Sequence, residues 1–174
     1  WREALEAARG VPGVASASLG VTAPFASSWG TDFFLPGRDS IPEITDGPYI
    51  NAVTPEWLTT LGTRVLRGRG FQPTDGKGSE PVALVNDHMA RVLWPNGNAL
   101  GQCIKVGADT APCTTVVGVT ENSVRDNLKE EISPQYLVLQ DQGVFKAPSW
   151  RNLFIRTSGD PDLVIAGLRE RLHG

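Results

Sequence analysis

Apolar and polar positions trade places along this chain in short runs, and most runs are closed by glycine, proline, asparagine or aspartate. Residues 1–9, WREALEAAR, read as a helix stopped by Gly10, and VASASLG reads as a strand after the turn VPG. YINAV is a second strand. It feeds a short helix with Thr54 as N-cap, Pro55 at the first helical position, Glu56 favouring the helix dipole and Gly62 as the stop. PVALVN reads as a buried strand. Asn86 then caps a helix whose apolar residues Met89, Val92 and Leu93 fall at i, i+3 and i+4, before Pro95 ends the pattern. QYLVLQ and NLFIRTSG are further strands, separated from the preceding ones by polar stretches. The last helix has Asp160 as cap, Pro161 at its first position, one apolar stripe of Val164, Leu168 and Leu172, and Arg169, Arg171 and His173 facing the C-terminal dipole. This interleaving is too irregular for a doubly wound parallel sheet and predicts an α+β fold.

Residues 21–47 break the pattern. They are rich in proline, glycine and serine, and only TDFFLPG suggests a short strand. Aromatic residues outside a periodic pattern have no core face assigned to them, so Trp29, Phe33 and Phe34 are candidates for a partner surface. Trp57 and Trp94, by contrast, sit on or beside amphipathic helices and are expected in the core.

Composition narrows the function classes. At 174 residues with 40% hydrophobic content the chain can bury a core, and a net charge of -3 leaves no basic footprint for nucleic acid or an anionic membrane surface. No apolar run approaches the roughly 20 residues that span a bilayer. The sequence opens directly on its first helix, without a charged start and apolar signal core, and so reads as the interior of a longer protein.

Cys103 and Cys113 flank a turn region between two β-prone runs, which places them on neighbouring strands of a hairpin. Paired across it, they close a short loop worth about 2 to 3 kcal/mol in an oxidising compartment. Two buried free thiols are the alternative. No second Cys or His pair sits at ligand spacing, which argues against a metal site.

Nor is there a convincing catalytic set. His88 follows Asn86 and Asp87, but all three occupy a helix start, where such residues serve as caps. LRGRGF lacks the spacing of a phosphate loop and reads as a turn with a solvated basic face, and no nucleophile elbow occurs. Asp75 with Glu80, and Glu130 with Glu131, have no positioned partner and read as surface charges.

The order YINAVTPEWLTTLG, then GRGF, then NDHMARVLWP, then CTTVVGV resembles the extracytoplasmic core domain of MacB-type, FtsX-like ABC transporter permeases. The resemblance is carried by residues 49–119 and weakens toward the terminal elements. It implies a split porter-like (ferredoxin-like βαβ) lobe built from 1–71 and 142–174, with a small α/β lobe, 72–141, inserted between. It further implies a periplasmic or extracytoplasmic location, anchored by membrane helices outside this sequence, and no enzyme activity or cofactor. Implied partners are a cytoplasmic ATP-binding subunit reached indirectly, a second permease copy and a periplasmic adaptor protein. On this reading NLFIRTSG pairs with VASASLG or YINAV, and both ends of the chain emerge on one side. The cysteine pair is not part of the family pattern. A stand-alone secreted or periplasmic small-molecule-binding protein is the alternative function.

Overall fold

The structure is a computed structural model that describes residues 1–38 and 47–173. Within these, the elements in chain order are α1 (Arg2–Arg9), β1 (Val14–Gly20), β2 (Phe33–Phe34), β3 (Tyr49–Val53), α2 (Trp57–Leu61) and β4 (Val65–Gly68). They continue with β5 (Val82–Asn86), α3 (Asp87–Leu93), β6 (Cys103–Val106), β7 (Thr114–Thr120), β8 (Gln135–Leu139), β9 (Asn152–Thr157) and α4 (Pro161–His173). All the strands join one mixed sheet in the order β2-β6-β7-β5-β8-β3-β1-β9, with β4 alongside the C-terminal half of β7. The α+β class expected from the sequence is the one observed.

Alternation along the strands decides which face each side chain takes. Ile50 and Ala52 of β3, Ala83 and Val85 of β5, and Tyr136 and Val138 of β8 pack with Met89, Ala90 and Leu93 of α3 in the largest core cluster. The same face carries α1 and α4 over β1 and β9, where Leu5, Ala8, Ala17 and Leu19 are buried against Ile155 and Leu168. The intervening residues Val53 and Leu84 point to the opposite face and meet Trp57 and Leu58 of α2. Trp57 stands edge-on to Phe154 with ring centroids 4.6 Å apart. Gly20 makes room for it, since a Cβ there would lie 2.4 Å from the indole Cζ3. Trp94 is buried at the end of α3, so both tryptophans are core residues as expected.

Local capping follows the sequence in part. Asn86 Oδ1 accepts from the Met89 amide at 2.9 Å, and Asp160 Oδ1 accepts from the Asp162 amide at 3.0 Å. Thr54 is not the cap of α2. That helix begins at Trp57 after Glu56, while the Thr54 hydroxyl accepts from the Leu19 amide at 3.1 Å and ties β1 to the turn. Gly62 ends α2 with φ of 75°, a left-handed conformation that favours glycine. In the predicted stripe of α4, Val164 is buried and Leu168 is packed against the α1 cluster. The side chains of Leu172 and His173, and residues 39–46 of the irregular segment, lie outside the described positions.

Cys103 and Cys113 are joined in a disulfide across the hairpin of β6 and β7, where Cys103 lies opposite Thr115. β9 pairs antiparallel with β1 from Val14↔Thr157 to Gly20↔Asn152, and does not touch the cysteine hairpin strands. Helices α1 and α4 run antiparallel against one another. Gly10 faces Arg171, Val11 faces Gly167 and Gly13 faces Val164, so α1 leads back from β1 in the direction in which α4 leads away from β9. Both ends of the chain therefore lie on one side. Among the described residues no helix is long and apolar enough to cross a membrane.

Candidate functional site

The N-terminal ends of β3 and β8 and the C-terminal ends of β5 and β7 share one edge of the sheet, because β3 and β8 are parallel and β5 runs against β8. Two irregular segments fold over that edge. The chain leaving β1 is fixed by Asn51, whose Oδ1 accepts from the amides of Val21 at 3.0 Å and Thr22 at 3.1 Å while its Nδ2 donates to the Thr22 carbonyl. Asn152 Nδ2 donates to the Val21 carbonyl at 2.9 Å. The second segment, 121–134, is fastened to the first through Arg125. Its carbonyl accepts from the Phe25 amide, its Nη1 donates to Ser28 Oγ at 3.0 Å, and its guanidinium lies 3.7 Å from the centre of the Tyr49 ring. Glu130 braces the same loop by accepting from the amides of Arg125, Asp126 and Asn127. Burial pushes its carboxyl up, but the three backbone donors together outweigh that and hold it below the usual carboxylate range.

Between the loops and the sheet edge lies a small cavity of about 110 Å³, with Trp57, Asn51, Thr120, Tyr49 and Arg125 in its walls. Each segment also carries one exposed apolar side chain, Phe25 on the first and Leu128 on the second. Phe25 has φ of 61°, a left-handed conformation that costs a bulky residue about 1 to 3 kcal/mol.

The predicted aromatic surface is divided by the fold. Trp29 is half-buried, edge-on to Phe145 with centroids 6.0 Å apart and 6.0 Å from Trp150, whose ring is exposed. Phe33 is instead a core residue. As part of β2 it pairs with β6 and packs its ring 5.6 Å from that of Tyr136, so it has no surface to offer a partner. Phe34, its strand neighbour, points the other way and stays half-buried. Phe145 and Trp150 were not singled out in the sequence, although GVFKAPSW has the same aperiodic, proline-containing character as the segment around Trp29. Ser149, beside Trp150, accepts a hydrogen bond from the indole of Trp1 at 2.9 Å, which links this aromatic cluster to the start of α1.

The residues that invite a catalytic reading have other partners. Asp87 pairs with Arg91 at 2.6 Å and Arg67 at 3.7 Å, and Asn86 is spent on capping α3 and on Ser133 and Gln135, so neither orients His88. Arg69 of the LRGRGF run forks onto Asp75 at 2.6 and 3.0 Å. Asp75 is therefore not a free surface charge. The Arg69 guanidinium and the Gln72 amide hold its carboxyl below the usual range against the opposing effect of burial. No group of three or more His, Cys, Asp or Glu side chains suited to a metal ion occurs among the described residues.

The sequence matches the family described as MacB-like periplasmic core domain over residues 1–169. The chain belongs to that family. Its fold is similar to the periplasmic region of MacB from Actinobacillus actinomycetemcomitans, with a TM-score of 0.71 at 11% identity, covering 97% of this chain and 71% of that one. It is also similar to the extracellular domain of the noncanonic ABC-type transporter YknZ from Gram-positive bacteria, with a TM-score of 0.66 at 17% identity over 95% of this chain and 76% of that one. No curated protein matches the sequence significantly. The resemblance read from residues 49–119 thus extends to nearly the whole MacB-like chain.

Proposed function

We propose that this MacB-like domain is the non-catalytic transmission and partner-binding element of an ABC transporter permease on the extracytoplasmic side of the membrane. One observation carries the reading: α1 and α4 lie antiparallel against each other beside β1 and β9, so that the two chain ends share one side. Membrane helices joined there would move α1 and α4 as a pair, and the sheet would carry that movement along its strands. ATP binding and hydrolysis belong to a cytoplasmic subunit, reached only through those helices. A second permease copy and a periplasmic adaptor are the proposed partners. The exposed ring of Trp150, with Trp29 behind it and Phe34 as a further contact, is the proposed adaptor surface. The division into a lobe of 1–71 with 142–174 and an inserted lobe of 72–141 is kept as part of this proposal, with the sheet continuous through both.

The test is made in the assembled transporter. Trp29→Ala and Trp150→Ala together should leave basal ATP hydrolysis unchanged and abolish the extracytoplasmic output. Unchanged transport would remove the aromatic cluster from the mechanism, and calorimetry showing tight ATP binding by the 174-residue chain would overturn the reading itself.

A further inference from the structure

A second hollow, larger than the one at the sheet edge, lies beside α1. It is a cleft of about 360 Å³, at the lower end of the roughly 300–1,000 Å³ typical of small-molecule sites. Leu5 and Leu19 from the core cluster and Pro55 from the turn before α2 give it an apolar wall. Six charged side chains line the rest: Arg2, Arg9 and Arg151 against Glu6, Glu56 and Asp141. The balance is neutral, but the charges are not evenly paired. Arg9 is shared between Glu6 at 2.7 Å and Glu56 at 2.9 Å, and Arg2 reaches Asp141 at 3.8 Å.

Arg151 is left over. Its Nε donates to Gln140 Oε1 at 3.0 Å and its Nη1 to the carbonyls of Pro148 and Trp150, all neutral acceptors. It has no ion pair among the described residues, and neither N–H of its Nη2 has an acceptor there. Burial without an opposite charge pulls its pKa down from the ordinary arginine value. The opposite imbalance surrounds Arg9, since one guanidinium is shared by the two carboxylates of Glu6 and Glu56. One end of the cleft thus has a half-buried cation without a counterion, and another part has two carboxylates on one guanidinium.

We propose that this cleft binds a small zwitterion, with its acidic group on Arg151, its ammonium group on Glu56 and its apolar portion on Leu5, Leu19 and Pro55. A free anion satisfies only Arg151 and meets Glu6, Glu56 and Asp141 unfavourably. A free cation has the converse problem. A ligand with both charges offsets both imbalances without changing the net charge. Such chemistry is found in a short peptide and in a phosphoethanolamine headgroup.

The experiment titrates the oxidised 174-residue chain, read by two-dimensional NMR, with glycyl-leucine, its N-acetylated form, its C-terminal amide, and glycerophosphoethanolamine. The zwitterion should bind about fivefold more tightly than either blocked peptide, one increment for each partly exposed charged contact. Stronger binding of glycerophosphoethanolamine assigns the site to a lipid headgroup, and stronger binding of the dipeptide assigns it to peptides. Arg151→Gln should erase the preference for the free carboxylate, and Glu56→Gln the preference for the free ammonium. Because Arg151 also holds the 148–150 turn, Ser149→Asp provides an independent check. A carboxylate there supplies the missing counterion, so it should weaken zwitterion binding about fivefold with an equal or higher melting temperature. No shifts at 10 mM of any zwitterion, equal binding of blocked and free peptides, or full binding by Ser149→Asp overturns the proposal.

Discussion

Gly20 and Trp57 provide a test of how the sheet and α2 are fitted together. A methyl group at position 20 would lie 2.4 Å from Cζ3 and 2.9 Å from Cη2 of the indole, where ordinary contact begins near 3.4 Å. Trp57 cannot easily retreat, because its ring is buried and held edge-on by Phe154 at 4.6 Å. Gly20→Ala should therefore cost about 1 to 3 kcal/mol as an overpacking substitution. Trp57→Ala should cost more, about 3 to 5 kcal/mol, as a large cavity-forming change. Together they should behave differently from the sum. With the indole gone the Cβ has room, Gly20 has no positive φ to defend, and replacing a strand glycine by alanine gains about 0.5 to 1 kcal/mol through the unfolded state. Gly20→Ala thus changes sign, from destabilising in the parent to stabilising in the Trp57→Ala background, with a coupling of about 1.5 to 4 kcal/mol. Urea denaturation followed by circular dichroism, with the disulfide intact throughout, measures all four proteins. Trp57→Leu replaces Trp57→Ala if the latter does not fold. Equal costs of Gly20→Ala in both backgrounds would refute the claim that the indole is what requires glycine in β1.

Opening the cysteine bridge by Cys103→Ser with Cys113→Ser releases a ten-residue separation and should lower stability by about 2 to 3 kcal/mol, seen as a lower urea midpoint that reductant no longer shifts. Asp75→Asn should cost about 1.5 to 3 kcal/mol at pH 7 by weakening the forked bond to Arg69. Since the folded-state pKa of Asp75 is depressed, its stabilisation is present above the unfolded value of about 3.9 and lost as pH falls through the folded value. The parent and Asp75→Asn unfolding free energies should therefore converge below about pH 4, and parallel curves would exclude this pair as the source. Asn51→Leu, which removes both side-chain acceptor bonds and the amide donor under the 21–30 segment, should raise amide exchange at Thr22 by at least tenfold, and at Val21 less because its amide keeps the Ala52 carbonyl, while leaving β5 and β7 protected.

Elements with local instructions were readable in the sequence. Asn86 and Asp160 cap the helices that follow them, and VALVN, read as a buried strand from its apolar run, is buried throughout. The cysteine hairpin was legible because both its strands and its turn are close in the chain. Thr54 misled because its hydroxyl has a better use 35 residues away, at the Leu19 amide, and no local pattern reports a distant donor. Phe33 misled for a related reason. Two residues are too few for alternation to declare a buried face, so the pairing with β6 that buries its ring is set by tertiary structure alone. Trp29 was singled out by its aperiodic surroundings, but Phe145 and Trp150, the rings it packs against, lie more than a hundred residues along the chain. The cleft beside α1 was invisible for the same reason, since Arg151, Glu56 and Leu5 come from three separate segments.

The register of the first and last paired strands has a mechanical consequence. Val14 lies opposite Thr157 at the end of the β1–β9 ladder nearest α1 and α4, and Gly20 lies opposite Asn152 at the other end. Pulling the two terminal helices apart would load that ladder like a zipper, one hydrogen-bonded pair at a time, and among the described residues β9 has no second strand to hold it. The ladders from β3 through β7 would feel little of such a force. Swinging both helices together as a unit leaves every rung under shear or at rest, and the sheet turns without opening. The register thus makes the paired strands stiffer toward a shared displacement of the two helices than toward their separation.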